Sequence, residues 1–277
     1  MTLFASTRAT AGTSAAFNAH SVPLYLALFG VGVAASTVGS MVGLGGGFLM
    51  VPLLRLFFAL QPAEAAGTSL VLVFANSLSG SFAYLRQRRI DVRTALLLAA
   101  GGFPAGIVGA VLVTRVSGVA FDALYAVFLI VVGLDLFLNR EKRLAGRSDF
   151  TSEKGPAIAG WRAIALGIVV GLVSSVFGIG GGVVVVPALL YLSTLPAISI
   201  SATSQFAILL TSPVGLVSHL ILHDVAAAYA LPLVFGGLLG GQIGAKWAAH
   251  LSPSALTRAL GFALAAAAVA LLGKHLL

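Results

Sequence analysis

Long apolar runs separated by short polar stretches dominate the pattern of this chain. Most of the runs approach or exceed the roughly 20 residues that a helix needs to span a bilayer. Two runs, 47–60 and 182–195, are shorter; each follows a cluster of glycines and contains a proline. One helix over 24–60 would be about 55 Å long, against a hydrocarbon core of about 30 Å, so the chain must turn back or break at the glycines. The runs are 24–42, 47–60, 68–85, 94–114, 119–138, 161–178, 182–195, 202–222, 225–248 and 256–277.

The sequence repeats itself at an offset of 135 positions. This offset places GLGGGFLMVPLL, which starts at Gly43, on GIGGGVVVVPAL, which starts at Gly178. Without a gap, it also pairs Thr68-Ser69 with Thr203-Ser204 and GGFPAGIVGA with GGLLGGQIGA. The matches are Gly, Pro, Thr and Ser rather than interchangeable apolar residues, so they indicate two homologous halves. Membrane proteins with two repeats are frequently transporters whose site lies at the repeat interface.

A basic stretch divides the two halves. We predict a mobile N-terminal tail at 1–22, a first transmembrane repeat at 23–138, a cytoplasmic basic linker at 139–160 and a second transmembrane repeat at 161–277. The short loop at 86–93 is also rich in arginine, and two apolar runs separate it from the linker. Because loops rich in Lys and Arg stay in the cytoplasm, both stretches are predicted on the same side.

These patterns predict an all-α polytopic membrane protein with about eight long spans and two short ones, each short one being a glycine-broken helix. If the short segments cross the membrane, each half has five crossings and the repeats are inverted; otherwise the repeats are parallel. The distribution of Lys and Arg satisfies the positive-inside rule in both topologies. We favour inversion, because the run 47–60 is too apolar to leave in water.

Composition narrows the classes of function. Hydrophobic residues make up 59% of the chain and charged residues 9%, whereas a soluble domain carries roughly 25% charged residues. The net charge of +8 lies in short loops between apolar runs, so the expected partner is the lipid bilayer and not nucleic acid. Cysteine is absent, which excludes disulfides and thiolate chemistry. The spans offer no nucleophile with its base, no metal-ligand set and no paired carboxylates, so we predict no enzyme, no metal and no cofactor.

The two glycine clusters are the first candidates for a binding site. A helix that begins at such a cluster leaves several N–H groups without intrahelical partners and presents the positive end of its dipole. This combination binds anions without a formal cation, although glycines also simply permit close helix packing. Two such helix starts facing each other would form a two-sided cradle for an anion. The cluster residues predicted to bind it are Gly45, Gly46, Gly47, Gly180, Gly181 and Gly182.

Hydroxyl and amide side chains form the second candidate group. They are predicted at the starts of the helices that follow the short segments, or one to two turns deeper, where they could donate hydrogen bonds to an oxyanion. Any one of them could equally cap a helix or bond to its own turn. The residues are Thr68, Ser69, Asn76, Thr203, Ser204, Gln205 and Thr211.

Two ionisable residues inside apolar runs leave alternatives open. Arg55 lies in the first short segment, where a charge is expensive and often functional, but its long side chain could also reach the segment end. For His219 a structural role is favoured over proton transfer. We predict no carboxylate in the middle of a span, so a carrier driven by the membrane potential alone is simpler to build than one coupled to a cation.

At the two glycine–proline motifs and the Thr-Ser pairs, the sequence resembles the TauE/SafE family of sulfite exporters and sulfonate permeases. GLGGGFLMVP with AAGTSL matches the family pattern, and GIGGGVVVVP with SATSQF is the second copy; Ala202 stands where the first copy has Gly67. The resemblance implies a multi-pass carrier of the bacterial inner membrane for sulfite, sulfoacetate or other organosulfonates. An anion channel, or a carrier for a non-sulfur organic anion, is the alternative. The glycine-rich helix faces would also allow a homodimer.

Overall fold

The computed structural model describes residues 21–138 and 158–248, together with residues 264, 265, 267–269, 271 and 273. Regular structure in these residues is entirely helical. Most of the predicted N-terminal tail and most of the predicted linker lie outside the described residues. The helices are α1 (Ser21–Val42), α2 (Gly47–Phe57), α3 (Pro62–Arg86), α4 (Val92–Val113), α5 (Gly118–Leu138), α6 (Gly160–Phe177), α7 (Gly182–Leu192), α8 (Ala197–Ile221) and α9 (Ala227–Trp247).

Six helices in the described part of the chain are long and apolar enough to cross a membrane, namely α1, α3, α4, α6, α8 and α9. Helices α2 and α7 have 11 residues each, which corresponds to about 16 Å, or half the thickness of the hydrocarbon core. The all-helical, multi-pass prediction is therefore confirmed. The count of about eight long spans stays a prediction, because most of the run 256–277 lies outside the described residues.

Helices α3 and α8 begin earlier than the apolar pattern predicts. Pro62 occupies the first position of α3, and Gln61 and Glu64 form a reciprocal capping box around it; this arrangement fixes a helix start. Thr68 consequently lies almost two turns inside α3, and Thr203 lies equally deep in α8, which starts at Ala197. The prediction that these threonines stand at helix starts was wrong, because the capping box starts α3 before the apolar run, and α8 starts directly after Pro196 without a side-chain cap.

Helices α3 and α8 pack against each other in opposite directions at the centre of the bundle. Gly67, near the start of α3, approaches the main chain of Asp224 just beyond the end of α8. Gly80, near the end of α3, approaches Gln205 in the first half of α8. The start of α3 therefore lies beside the end of α8, and the end of α3 lies beside the first half of α8, so the two helices are antiparallel.

Two parallel helix pairs flank this centre. On one flank, α9 glycines contact successive positions of α1, with Gly236 beside Gly32 and Gly240 beside Ser36. On the other flank, α4 packs along α6 in the same way, with Gly102 beside Gly171. Because glycine has no side chain, these helices approach backbone to backbone. Each flank joins one helix from before the basic stretch with one helix from after it.

Candidate functional site at the paired glycine turns

Both short helices begin at a turn that only glycine adopts easily. Three glycines in each turn have a positive φ, the left-handed region in which a side chain is strained. No side chain caps the N-terminus of α2 or of α7. The backbone therefore folds in the same way at both clusters. The φ values are 84° at Gly43, 82° at Gly45, 81° at Gly46, 69° at Gly178, 78° at Gly180 and 75° at Gly181.

The two turns lie against each other. A Cβ at Gly47 would stand 2.5 Å from the carbonyl oxygen of Gly178, and a Cβ at Gly182 would clash with the carbonyl oxygen of Gly43. Both turns are fully enclosed in the bundle. The start of each short helix is thus packed on the turn that precedes the other, and glycine is the residue that fits both contacts.

Two serine hydroxyls bind the carbonyls of these turns across the halves. The Ser69 hydroxyl donates to the carbonyl oxygen of Gly178 at 2.8 Å. The Ser204 hydroxyl donates to the carbonyl oxygen of Gly43 at 2.6 Å. Both serines are buried, so each bond satisfies a carbonyl that the broken helix leaves without a partner.

The neighbouring threonines make the reverse kind of bond, with the hydroxyl as acceptor. Thr68 accepts from the backbone N–H of Ala226 at 2.9 Å, and Thr203 accepts from the backbone N–H of Asp91 at 3.0 Å. The hydroxyls of the two Thr-Ser pairs therefore already bind the main chain of the opposite half. They hold the two halves together around the turns.

Asn76 and Gln205 are the predicted residues that keep unused hydrogen-bonding atoms, and Asn76 keeps the larger share. It is 0% exposed, and neither its Nδ2 nor its Oδ1 has a partner among the described residues. Gln205 donates from Nε2 to the carbonyl oxygen of Asn76 at 3.2 Å, while its Oε1 is also unpaired. Thr211, in contrast, donates to the carbonyl oxygen of Ala207 in its own helix at 3.0 Å. Since unpaired buried amides are rare, Asn76 marks a place where a ligand or water belongs.

Glycines border the two amides. A Cβ at Gly241 would stand 2.9 Å from Asn76 Oδ1, and a Cβ at Gly80 would stand 2.9 Å from Gln205 Nε2. Ser36, which has an unpaired buried hydroxyl, lies with its Cα beside Gly46 at the start of α2 and with its Cβ beside Gly240. Ser36 therefore links the stretch of α9 that borders Asn76 to the uncapped N-terminus of α2. Sequence reasoning missed Ser36 because it lies in the middle of the apolar run of α1, without a neighbouring motif.

This polar cluster has no exact copy in the other half. At an offset of 135 positions, Ser36 corresponds to Gly171 and Asn76 to Thr211, while Gln205 corresponds to Leu70. The glycine turns and the cross-half bonds occur in both halves, but the unpaired amides of Asn76 and Gln205 have no counterparts at the equivalent positions. The site is therefore asymmetric in its unpaired polar groups, although the backbone around it is duplicated.

Arg55, whose role the sequence left open, forms a buried ion pair. Its Nε donates to Asp122 Oδ1 at 2.7 Å and its Nη2 to Asp122 Oδ2 at 2.6 Å. Nη1 also donates to the carbonyl oxygen of Leu60 at 2.6 Å. The pair fastens the end of α2 to α5 and lies outside the polar cluster. Sequence reasoning missed Asp122 because it stands near the start of an otherwise apolar run.

A bundle of apolar helices with two broken helices and buried free amides at its centre defines a multi-pass membrane transporter. The chain belongs to the TauE/SafE family: the family model described as "Sulfite exporter TauE/SafE" matches residues 28–271. The resemblance seen in the sequence is confirmed.

Curated relatives carry the same general description. The chain is 35% identical over 238 residues to "Probable membrane transporter protein YunE" of Bacillus subtilis (strain 168), covering 80% of this chain and 87% of that protein. It is 27% identical over 242 residues to "Probable membrane transporter protein MJ0441" of Methanocaldococcus jannaschii, covering 78% and 85%. It is also 28% identical over 235 residues to a "Probable membrane transporter protein" of Xylella fastidiosa (strain 9a5c), covering 83% and 87%. No solved structure matches the chain significantly.

Proposed function

We propose that this protein is a secondary transporter that carries small sulfur-containing anions, such as sulfite, sulfoacetate or other organosulfonates, across the bacterial inner membrane. The observation that carries the proposal is the fully buried, unpaired amide of Asn76, which lies against Gly241, while the neighbouring Gly240 contacts Ser36 beside the uncapped start of α2. A helix N-terminus attracts negative charge, and amide and hydroxyl donors add hydrogen bonds to oxyanion oxygens. The site needs neither a cofactor nor catalytic chemistry.

The halves at 23–138 and 161–277 are proposed to be inverted repeats. Three features support this: the positive-φ glycines recur at the same offset, the cross-half bonds recur at that offset, and the equivalent helices α3 and α8 run antiparallel. Helices α1 and α3 also run in the same direction, as both run parallel to α9. The chain must therefore return through α2, which gives each half five crossings with α2 and α7 among them.

Within this frame, the predicted site residues have different roles. The backbone N–H groups at the two turns, Gly45–Gly47 and Gly180–Gly182, attract the anion, apart from that of Gly45, which donates to the Gly39 carbonyl. Nδ2 of Asn76 and the second N–H of Gln205 Nε2 donate hydrogen bonds to its oxygens. The four hydroxyls of Thr68, Ser69, Thr203 and Ser204 hold the turns in place. Thr211 lines the second, less polar side. Uncharged hydrogen-bond donors suit a sulfonate or sulfite as substrate, because these anions are negatively charged and their oxygens are strong acceptors.

The proposed cycle opens the central site to one side at a time. Both glycine turns are enclosed, which corresponds to an occluded arrangement. The bonds Thr68–Ala226 and Ser69–Gly178 close one end, and Thr203–Asp91 and Ser204–Gly43 close the other. For alternating access, the hydrogen bonds at one end must break while those at the other end remain. An inside-negative potential of 100 mV favours outward movement of one negative charge by about 2.3 kcal/mol, so export needs no coupled cation.

The orientation follows from charge. The loop at 86–93 carries four arginines, whereas the equivalent loop after α8 carries Asp224 and no Lys or Arg. Because α3 and α8 are antiparallel, the two loops lie at opposite ends of the bundle. By the positive-inside rule, we assign the arginine-rich loop to the cytoplasm and the Asp224 loop to the outer face.

The experiment is the flux of labelled sulfite and sulfoacetate in proteoliposomes, with and without an imposed potential. Saturable flux that follows the potential is the expected result. Flux without saturation identifies an anion channel instead, and flux of a carboxylate with neither sulfur anion identifies a carrier for another organic anion. Folded protein that moves none of these rejects the proposed substrate class.

A further inference from the structure

A buried histidine faces a partly exposed aspartate at the end of α8, away from the polar cluster. His219 is 0% exposed, and its Nε2 lies 3.0 Å from the carbonyl oxygen of Ser175 in α6. A carbonyl only accepts, so Nε2 carries the proton. The other ring nitrogen, Nδ1, lies 3.5 Å from Asp224 Oδ2, and neither atom has a hydrogen-bond partner among the described residues. In the neutral ring, a lone pair therefore faces a carboxylate.

The equivalent place at the opposite end has no such pair. At the offset of 135 positions, Tyr84 replaces His219 and Arg89 replaces Asp224. The Tyr84 hydroxyl donates to the carbonyl oxygen of Ser40 at 2.9 Å, and Ser40 is the counterpart of Ser175. The backbone contact is therefore preserved, while the facing imidazole and carboxylate occur at one of the two ends in the described part of the chain.

We propose that His219 and Asp224 form a proton-binding site that closes the outer end of the transporter when it is occupied; the inference rests on the proposed function for its coupling to transport. The proton binds at Nδ1 and converts two facing acceptors into an imidazolium–carboxylate pair. Asp224 has a side chain that is 17% exposed, so the proton reaches the pair from the outer solution. Loss of the proton restores the repulsion and weakens the hold on the loop after α8.

The other groups around the ring do not compete for this role. From α3, the part in contact is Gly67, and from α6 it is Ser175; neither carries charge. Glu64, one turn before Gly67, accepts from the backbone N–H of Gln61 in its own capping box. His223 and Arg115, the latter beyond the end of α4, are exposed. Asp224 is the charged partner that faces His219 among the described residues.

The loop that this pair holds is also the outer closure. The carbonyl of Asp224 packs directly on Gly67, where a Cβ would clash. Two residues later, the N–H of Ala226 donates to Thr68, one of the four cross-half bonds. If Asp224 moves, both its own contact with Gly67 and the bond from Ala226 to Thr68, two residues further on, are therefore disturbed.

The test uses single cysteines, which the chain otherwise lacks. Val225→Cys reports on the outer loop, and Ile90→Cys, its counterpart at the offset of 135 positions, is the matched control; both positions are half-buried. In reconstituted full-length protein, we measure the ratio of their labelling rates by a membrane-permeant maleimide. Because the two thiols have different charged neighbours, the same ratio in the His219→Gln background, which leaves the charges beside both cysteines in place, corrects for the pH dependence of the thiols themselves. We expect this ratio to rise at least about threefold between about pH 5.5 and pH 8.5, the range in which histidine loses its charge.

Two variants then decide the assignment. Asp224→Asn removes the charge with the same shape, and His219→Gln keeps a donor for Ser175; each should make the ratio independent of pH. A flat ratio in the parent, or an unchanged rise in both variants, overturns the proton site even if sulfite flux is normal. If both variants abolish the rise of the labelling ratio but the parent protein transports no sulfur anion, the proton site is supported and the proposed substrate is rejected. Sulfite flux whose pH dependence is flattened by Asp224→Asn supports both.

Discussion

Ser69 donates its hydroxyl to the carbonyl of Gly178, 109 positions further along the chain, at 2.8 Å. The equivalent serine of the other half, Ser204, returns the same bond to Gly43. Each bond satisfies a carbonyl that no intrahelical N–H reaches, so the serines compensate for the breaks that the glycine turns introduce.

Removing one of these hydroxyls should destabilise the protein and favour one open end. Ser69→Ala leaves the buried carbonyl of Gly178 without a partner, which costs about 1–3 kcal/mol. We expect a lower Tm in detergent. Ser77→Ala is the matched control, because the Ser77 hydroxyl bonds to Phe74 in its own helix. Equal losses of Tm in the two variants would contradict a special role for the cross-half bond.

A methyl group at the contact of the two turns should block transport. Gly47→Ala places a Cβ 2.5 Å from the Gly178 carbonyl oxygen, and the main chain cannot yield there without moving α7. We expect flux to be lost while the protein still inserts into the membrane. Gly30→Ala is the control, since a Cβ at Gly30 meets nothing within 4 Å. Normal flux through Gly47→Ala, measured in the same vesicles, would refute the close approach.

Removing one partner of the Arg55–Asp122 pair should lower the stability of the protein strongly. Removing both partners should lower it much less. Asp122→Asn leaves the arginine charge buried with poor compensation, a change that typically costs about 3–5 kcal/mol. Arg55→Leu with Asp122→Leu should recover most of the lost Tm, and α7 already carries Leu190 at the position equivalent to Arg55. Arg115→Leu, at an exposed position, controls for loss of charge alone. A double variant as unstable as Asp122→Asn would show that the packing at this site requires the ion pair.

The proposed inversion predicts the sidedness of cysteine labels. Gln87→Cys and His223→Cys lie just beyond the ends of the antiparallel helices α3 and α8, so they should react with an impermeant reagent from opposite sides of the membrane. Thr114→Cys, at the far end of α4, should react from the same side as His223→Cys. Labelling of Gln87→Cys and His223→Cys from one side would reject inverted repeats.

The sequence predicted the helices and their breaks better than it predicted the hydrogen-bond partners of the polar side chains. Gly43 to Gly47 were correctly expected to break a helix, because consecutive glycines before a proline-bearing run have few other uses in a membrane. The partners of Ser69 and Thr68 could not be inferred, since hydroxyls near a site suit a substrate and a distant carbonyl equally well. Asp122 was missed, because it stands near the start of an otherwise apolar run and its partner Arg55 lies 67 positions away. Long-range pairing of polar groups is decided by the packing of the bundle, which the apolar pattern leaves open.

Asn76 gives the sharpest test of the binding site, because its role in binding and its role in folding predict opposite results. Its amide is buried without a partner, so Asn76→Ala removes no hydrogen bond of the side chain and adds no bulk against Gly241, and it should change Tm little. If the amide binds the anion, the same change should lower flux at limiting substrate by about tenfold or more, as expected for a lost hydrogen bond to a charged group. Thr37→Ala is the control for a polar residue whose hydroxyl bonds to its own helix, and it should alter flux little. A variant with reduced Tm and unchanged flux at Asn76 would make the amide a structural group and move the substrate elsewhere.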